Sequence, residues 1–166
     1  MNRFALVALS AIFFVTSAAA ADKSKYNIGA GYGLANGGVL SLHADANISN
    51  AANAPVKARI GYDHYSLNYN NFGGKYSWSY NIFYGGAYYD LNRDLKLDKK
   101  VHPFVGLGIG FGTASCSGSW CNLASSPTVG GLYFIGGLQY NIDRTIDAEV
   151  NLNGWGGLTV GANFKF

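Results

Sequence analysis

The amino-acid sequence predicts an all-β protein, an eight-stranded antiparallel up-and-down transmembrane barrel. Apolar residues alternate with polar residues or glycines in eight stretches of about 8–14 residues, and a period of two is that of β-strands. A tilted strand needs about 9–11 residues to cross a bilayer, so these stretches are long enough. Glycine, tyrosine and phenylalanine account for 23, 12 and 10 of the 166 residues, as suits a tightly curved sheet. Because lipid offers the backbone no hydrogen bonds, such a sheet has to close on itself.

Turns rich in asparagine, glycine and aspartate separate the predicted strands. The longest connections are 68–75, 90–100 and 114–128, and the second carries seven charges in eleven residues. An even strand number places both chain ends on the periplasmic side, so the first and third of these loops are predicted outside and the second inside. The predicted strands are 25–33, 39–48, 56–65, 76–89, 101–113, 129–141, 145–152 and 157–166.

The two faces of each strand are expected to follow the logic of a membrane barrel, with the apolar face toward lipid and the polar or glycine face toward the lumen. In the fourth strand this rule places Trp78, Tyr80, Ile82 and Tyr84 outside. The rival interpretation is a secreted soluble β-sandwich or lipocalin-like barrel, in which the apolar face is inside. Aromatic residues near strand ends favour the membrane, because they can form interfacial girdles. The expected girdles are Tyr26, Tyr88, Tyr89, Tyr140, Phe164 and Phe166 on the periplasmic side, and Tyr76, Trp78 and Trp155 on the outer side.

The first 21 residues have the features of a cleaved secretory signal peptide. Arg3 precedes an apolar run of 12 residues, 4–15, and small residues follow at 17–21. The run is too short for a membrane-spanning helix, which needs about 20 residues. We therefore expect a signal peptide at 1–21 and one barrel domain at 22–166. Without Arg3, 11 basic residues face 9 acidic ones with no basic stripe, which argues against a nucleic-acid partner.

The last predicted strand reads GLTVGANFKF and ends on an aromatic residue. Its Thr159-x-Gly161-x-x-Phe164-x-Phe166 spacing resembles the C-terminal signal of bacterial outer-membrane β-barrels. In that family the polar residue, the glycine and the two aromatic residues are read by the barrel-assembly machinery. The resemblance implies that this machinery is a partner during biogenesis and that the protein lies in the bacterial outer membrane.

The barrel region as a whole resembles the small eight-stranded OmpA/OmpX-like outer-membrane proteins. The resemblance rests on the stretch Pro103-Phe104-Val105-Gly106-x-Gly108-x-Gly110, on 136–141, and on the pair Ala148-Glu149. It implies a monomeric, multi-pass protein in contact with outer-membrane lipid and lipopolysaccharide. It also implies a structural or surface-interaction role without catalysis and without a cofactor.

Charged and polar residues at inward positions are the candidates for a lumen network. An eight-stranded barrel is only wide enough inside for side chains, and the charges of both signs can pair there. A satisfied polar core and a narrow proton or ion path are both consistent with this composition. The candidates are His43, Asp45, Lys57, Arg59, Asp63, Asp147, Glu149 and Lys165.

His64 and Ser66 are the strongest catalytic candidates in the sequence. Their His-x-Ser spacing resembles that of outer-membrane lipid A 3-O-deacylases, in which serine is the nucleophile and histidine its base. The family motif lies near the chain end, however, and the carboxylate expected about a dozen residues later is replaced here by Ser77-Trp78-Ser79. The alternatives to a non-catalytic barrel are thus a lipid A-modifying hydrolase or a narrow pore.

Cys116 and Cys121 lie in the longest predicted loop with four residues between them. An exported protein enters an oxidising compartment, so a disulfide is the expected state. The loop offers too few further ligands for a metal site, and none is predicted.

Overall fold

The chain forms one closed antiparallel barrel of eight strands in sequence order. The computed structural model describes residues 25–33, 38–71, 74–118, 121, 128–154 and 157–166. The predicted fold class and strand number are confirmed. The strands are β1 Tyr26–Gly33, β2 Val39–Asn47, β3 Val56–Asn71, β4 Gly74–Asp90, β5 Val101–Gly118, β6 Thr128–Asn141, β7 Ile146–Asn153 and β8 Gly157–Lys165.

Two of the turns at the end that holds both termini have a defined local structure. A four-residue helix, α1 (Ser49–Ala52), lies between β2 and β3. Between β6 and β7 the carboxylate of Asp143 accepts hydrogen bonds from the backbone of Thr145 at 2.7 Å and of Ile146 at 2.8 Å. These donors hold the pKa of the Asp143 carboxyl below its ordinary value.

Within the described ranges, no helix is both long and apolar enough to cross a membrane.

The barrel closes where the last strand pairs with the first. Gly31 stands opposite Gly161 in this pair, and the backbone N–H of Phe166 donates to the carbonyl of Tyr26 at 2.9 Å. Closure leaves no free edge along β1 and β8 over the paired residues, which is the condition for a sheet surrounded by lipid.

The outer wall is an apolar belt. Ile60, Leu107, Ile109 and Leu132 expose 67%, 61%, 66% and 77% of their surface, although they lie in the middle of strands. Side chains of this kind around a whole barrel form an apolar surface far larger than soluble monomers expose. The interior, by contrast, holds most of the buried polar residues. The barrel is therefore built for lipid on its outside, and the soluble interpretation is wrong.

One strand has its faces reversed relative to the prediction. On β4, Ile82 and Tyr84 are 0% and 6% exposed and lie inside, whereas Phe83 is 50% exposed and lies outside. Trp78 and Tyr80 share the inward face, since Trp78 stacks on Tyr80 and Tyr80 packs against the interior cluster. The reversal follows from the volume that side chains have to fill inside the barrel next to β4.

The neighbouring strand β5 supplies only glycine at four successive inward positions, 106 to 112, so large side chains from β4 and β6 fill that space. A Cβ added at Gly110 would lie 3.0 Å from Cδ2 of Tyr133 and 3.3 Å from Cγ2 of Ile82. On β4 the large side chains of Ile82 and Tyr84 therefore turn into the space that the glycines of β5 leave open.

The predicted girdles change accordingly. Tyr88 is 2% exposed and lies in the lumen, not in the periplasmic girdle. Tyr26, Tyr140, Phe164 and Phe166 are 42–52% exposed on the outer wall at the terminal end. The predicted outer-girdle residue Trp155 lies outside the described residues.

Three strands are longer than predicted. β3, β4 and β5 have 16, 17 and 18 residues, so most of the loop predicted at 68–75 and the start of the loop predicted at 114–128 are strand. Their ladder continues because the three strands pair with one another, for example Ser66 with Ser79 and Ser79 with Ser115. Polar residues at strand ends look like loop in a sequence, but cross-strand hydrogen bonds do not depend on side-chain polarity.

Candidate functional site

The site that the fold builds is a polar cluster inside the barrel, and glycines make room for it. β1 carries glycine at its inward positions 29, 31 and 33. A Cβ added at Gly29 would lie 2.5 Å from Cε1 of His43, and it would also collide with Asn163. The side chains of β2 and β8 thus fill the space in front of the glycine strand between them.

Arg59 lies at the centre of this cluster and bridges two carboxylates on opposite sides of the lumen. Its Nε and Nη2 donate to Oδ1 and Oδ2 of Asp45 at 2.6 and 2.9 Å. Its Nη1 and Nη2 donate to Oε1 and Oε2 of Glu149, both at 3.1 Å. All three residues are at most 3% exposed. We call these three residues the arginine clasp. The guanidinium makes two hydrogen bonds to each carboxylate, so four of its five N–H groups donate in the clasp. Bidentate contacts of this kind resist rearrangement.

Amide side chains complete the hydrogen bonding of Glu149. Gln139 donates to Oε2 at 2.6 Å, and Asn151 and Asn163 donate to the same carboxylate. Asn163 in turn contacts Nε2 of His43 through its Oδ1 at 2.9 Å. A buried carboxylate with a cation and three amide donors is well compensated, which offsets its cost of desolvation.

Two aromatic rings cover the guanidinium. Cζ of Arg59 lies 4.9 Å from the ring centre of Tyr88 and 5.2 Å from that of Phe104. The hydroxyl of Tyr88 also donates to Oδ2 of Asp45 at 2.7 Å. The rings add cation–π attraction and exclude water, so the clasp is both paired and covered.

The group His43, Asp45 and Glu149 has potential metal-ligand atoms within 4.8 Å of one another. Arg59 already binds both carboxylates of this group, and its positive charge occupies the place of a cation. The donor set therefore does not fit a metal ion.

Below the clasp, toward the termini, the lumen widens into a vestibule of about 310 Å³. Lys165 pairs there with Asp147 at 2.6 Å, and His102 with Asp90 at 2.8 Å. Asn141 contacts both pairs, at 3.3 Å from Nζ of Lys165 and 3.1 Å from Nε2 of His102. The ionic groups of the vestibule are thus mostly paired.

Above the clasp lies a further buried carboxylate, Asp63, which is 0% exposed. The hydroxyls of Tyr65 and Tyr133 both donate to its Oδ2, the former at 3.1 Å. Tyr84 stacks on Tyr133 with ring centres 4.2 Å apart. We call Asp63, Tyr65, Tyr84 and Tyr133 the tyrosine layer. It is a second packed layer across the lumen, so the clasp and the tyrosine layer together separate the two ends of the barrel.

The eight predicted lumen residues all line the interior, but they do not form one network. Four of them, His43, Asp45, Arg59 and Glu149, meet in and beside the clasp. Lys165 and Asp147 form their own pair, Asp63 belongs to the tyrosine layer, and Nζ of Lys57 lies 3.4 Å from Oε1 of Gln139.

Sequence reasoning missed the neutral members of the cluster. Tyr88, Gln139, Asn151 and Asn163 all contact the clasp, yet they carry no charge and were not distinguished from other polar residues. On β7 and β8 the sequence does indicate that two of these side chains point inward, because Asn151 alternates with Val150 and Asn163 with Ala162. On β4 the sequence pattern predicts the wrong inward face, so Tyr88 is predicted in the periplasmic girdle and not in the lumen.

His64 and Ser66 share the outward face of β3, away from the lumen. Nδ1 of His64 lies 2.9 Å from Oδ1 of Asn81 on β4, and the hydroxyl of Tyr62 donates to the same oxygen at 2.6 Å. Over the described residues, no side-chain hydrogen bond joins Ser66 to His64. The structure thus orients the histidine without connecting it to the serine.

The residues of the predicted assembly signal divide between the two faces of β8. Thr159 is 1% exposed and inward, and Gly161 lies on the same face. Phe164 and Phe166 are 52% and 42% exposed on the outer wall. Separately, Cys116 at the end of β5 is joined to Cys121 by a disulfide bond, as predicted.

Comparisons with known proteins support the fold. No protein-family model and no curated protein sequence matches the chain. Among solved structures, the attachment invasion locus protein Ail of Yersinia pestis is 16% identical, with a TM-score of 0.57 over 87% of this chain and 100% of that one.

Two further solved structures have the same architecture. The Neisserial surface protein A is 17% identical, with a TM-score of 0.54 over 85% of this chain and 95% of that one. A de novo designed transmembrane β-barrel is 13% identical, with a TM-score of 0.50 over 88% of this chain and 98% of that one. These likenesses show that the chain shares the fold of small eight-stranded transmembrane β-barrels, and the apolar belt agrees with that fold.

Proposed function

We propose that this protein is a sealed, monomeric outer-membrane barrel with a structural or surface-interaction role and no catalysis of its own. The arginine clasp carries the proposal. Arg59 spans the lumen between Asp45 and Glu149, and all its contacts are to groups that are buried and paired. A core with these contacts holds the wall together, and each of the three clasp residues is engaged in these contacts.

The surface-interaction part of the role draws on location and on one relative. Three long strands extend beyond the apolar belt on the side opposite the termini, which is the outer side of such barrels. Ail of Yersinia pestis has been crystallised with the heparin analogue sucrose octasulfate. The proposed partners are outer-membrane lipid and lipopolysaccharide around the wall, and the barrel-assembly machinery during biogenesis.

Planar-bilayer recording tests whether the barrel is sealed. Purified protein inserted into the bilayer should show no steady conductance, whereas Arg59→Ala combined with Tyr133→Ala should leak because both packed layers are opened. Arg93→Ala, in the charged turn after β4, serves as a control that changes the same charge outside the lumen. A steady wild-type conductance would show that the protein is a pore.

A lipid A-modifying hydrolase is the second candidate, and one observation favours it. The hydrogen bond from His64 to Asn81 orients the imidazole on the lipid-facing wall, as a base in a catalytic triad is oriented by a third residue. Mass spectrometry of lipid A from cells with and without the protein tests this candidate. Loss of an acyl chain that depends on Ser66, shown by Ser66→Ala, would replace the first proposal.

The signal peptide belongs to the same proposal, because an outer-membrane protein has to be exported. We expect the mature protein to begin after Ala20 or Ala21. N-terminal sequencing of protein extracted from the cell envelope checks this expectation.

A further inference from the structure

The outward face of β3, β4 and β5 changes character row by row along the barrel. Cross-strand partners define the rows, since residues opposite each other on neighbouring strands lie side by side. One row is aromatic: Tyr62, Phe83 and Phe111, with ring centres 5.0 and 6.3 Å apart. The row on its terminal side is aliphatic, with Ile60 beside Gly85 and Gly85 beside Ile109.

Beyond the aromatic row, on the side away from the termini, the outward residues of β3, β4 and β5 are polar. None of them is Lys, Arg, Asp or Glu as far as position 77 on β4 and position 117 on β5. The next row is His64, Asn81 and Thr113, and the row after it is Ser66, Ser79 and Ser115. Ser77 and Ser117 follow, with their hydroxyl oxygens 2.7 Å apart. We call these eight residues the outer polar patch.

The height of the patch relative to the membrane follows from β5. From Val101 to Phe111 its outward residues are apolar, and these ten steps correspond to a height of about 25 Å at the usual strand tilt. That is about the height of the apolar band of an outer-membrane barrel. Thr113 and Ser115 therefore stand about 5 and 10 Å above the hydrocarbon, where lipid headgroups lie.

The chemistry of the patch selects among headgroups. Tyr62 donates to Oδ1 of Asn81, as does Nδ1 of His64, so the Asn81 amide keeps its N–H groups as donors and Nε2 of His64 remains an acceptor. Hydroxyls at five serines and one threonine both donate and accept. The patch contains no lysine or arginine, and Lys75 at the far end of β4 is the first such residue on the outward face above it on that strand.

We propose that the outer polar patch binds the saccharide headgroup of an outer-leaflet glycolipid, and that the aromatic row beneath it packs on the upper part of the acyl chains. Sugar hydroxyls need neutral groups that both donate and accept, and the patch offers these, whereas phosphate would call for arginine or lysine. The patch continues the lipid-facing belt without a break, so the lipid that covers the belt also reaches the patch. This inference rests on the proposed outer-membrane placement of the barrel.

The test compares two lipids with the same acyl chains, a neutral glucosyl diacylglycerol and phosphatidylglycerol. The protein is refolded into nanodiscs that contain both, and the lipids retained after gentle delipidation are counted by native mass spectrometry. Wild-type protein should retain the glycolipid preferentially. His64→Ala/Ser79→Ala/Ser115→Ala should reduce that preference by about tenfold, since at least three hydrogen bonds are lost, and Ser79→Ala alone by a smaller factor.

Ile60→Val/Ile109→Val is the matched control, because it alters the belt on two of the same strands and leaves the patch intact. Equal retention of both lipids by wild-type protein, a preference for phosphatidylglycerol, or an unchanged preference in the triple variant would overturn the inference. Heat-modifiable migration of each variant on a gel shows separately whether the barrel has formed. A barrel that inserts and seals without a sugar preference leaves the proposed function standing, whereas failure to insert, or a steady conductance, contradicts that function instead.

Discussion

Arg59 on β3 and Glu149 on β7 are 90 residues apart in the chain, yet their side chains meet across the lumen in two hydrogen bonds of 3.1 Å. Asp45 binds the other side of the same guanidinium at 2.6 and 2.9 Å. The contact joins opposite walls of the barrel, so it stabilises the closed sheet and closes the lumen at the same time.

Arg59→Met should destabilise the barrel by about 3–5 kcal/mol, because it leaves Asp45 and Glu149 buried without a cation. The measurement is the free energy of unfolding by guanidinium in detergent micelles. Lys57→Met is the control, since this half-buried lysine forms no ion pair within 4.0 Å among the described residues, and its loss should matter much less. Equal effects of the two substitutions would show that the clasp contributes nothing particular.

Gly161→Ala should destabilise the barrel, whereas Gly131→Ala should not. A Cβ at Gly161 would lie 2.6 Å from Cα of Gly31 on β1, so the closing strand pair would have to separate. Nothing lies within 4 Å of a Cβ at Gly131. Overpacking of this kind costs about 1–3 kcal/mol, and the same unfolding measurement compares the two variants. A Gly161→Ala protein as stable as the Gly131→Ala protein would contradict the packing described for the β1–β8 pair.

Phe164→Ser/Phe166→Ser, or deletion of Phe166, should lower the amount of membrane-inserted, heat-modifiable protein in cells. The same protein refolded in detergent should keep its β-sheet circular dichroism, because both side chains lie on the outer wall and fill no interior space. Leu158→Ser/Val160→Ser removes outward apolar groups from the same strand but leaves Thr159, Gly161, Phe164 and Phe166 in place. If both double variants reach the outer membrane equally well, the terminal aromatic residues are not an assembly signal.

An epitope tag inserted at position 72 or 73, between β3 and β4, should be detected on intact cells. A tag in the charged turn after β4, between Lys99 and Lys100, should be detected only after the outer membrane is permeabilised. The reason is that an even number of strands puts the termini and the 91–100 turn on one side and the β3–β4 tip on the other. The opposite labelling pattern would mean that the barrel is inserted the other way round.

The disulfide between Cys116 and Cys121 should leave no free thiol in protein taken from the envelope under non-reducing conditions. Its reduction should change the melting temperature little, since the bridge closes a short loop at the end of β5 and short loops gain little from closure. Thiol labelling before and after reduction, followed by thermal melting, measures both quantities. Two reactive thiols in the untreated protein would contradict the pairing.

Much of the architecture follows from the sequence, because alternation along a strand is a local property. Residues such as Asp45 and Glu149 had to point opposite to Ala44 and Val150 whatever the rest of the chain did, and eight such stretches can satisfy their backbone groups in lipid only by closing. The alternating pattern failed for β4, where both faces carry large side chains, and the glycines of β5 decided which face turned inward.

The pairing inside the lumen was decided only by the tertiary structure. Several inward cations and anions are consistent with the same sequence, and which of them meet depends on the register and stagger of strands far apart in the chain. Register brings Arg59 opposite Asp45 on the neighbouring strand, and curvature of the wall brings Glu149 to the same guanidinium from the far side. A period of two determines the side of the wall on which a residue lies, but contact across a lumen is non-local and exists only once the barrel is closed.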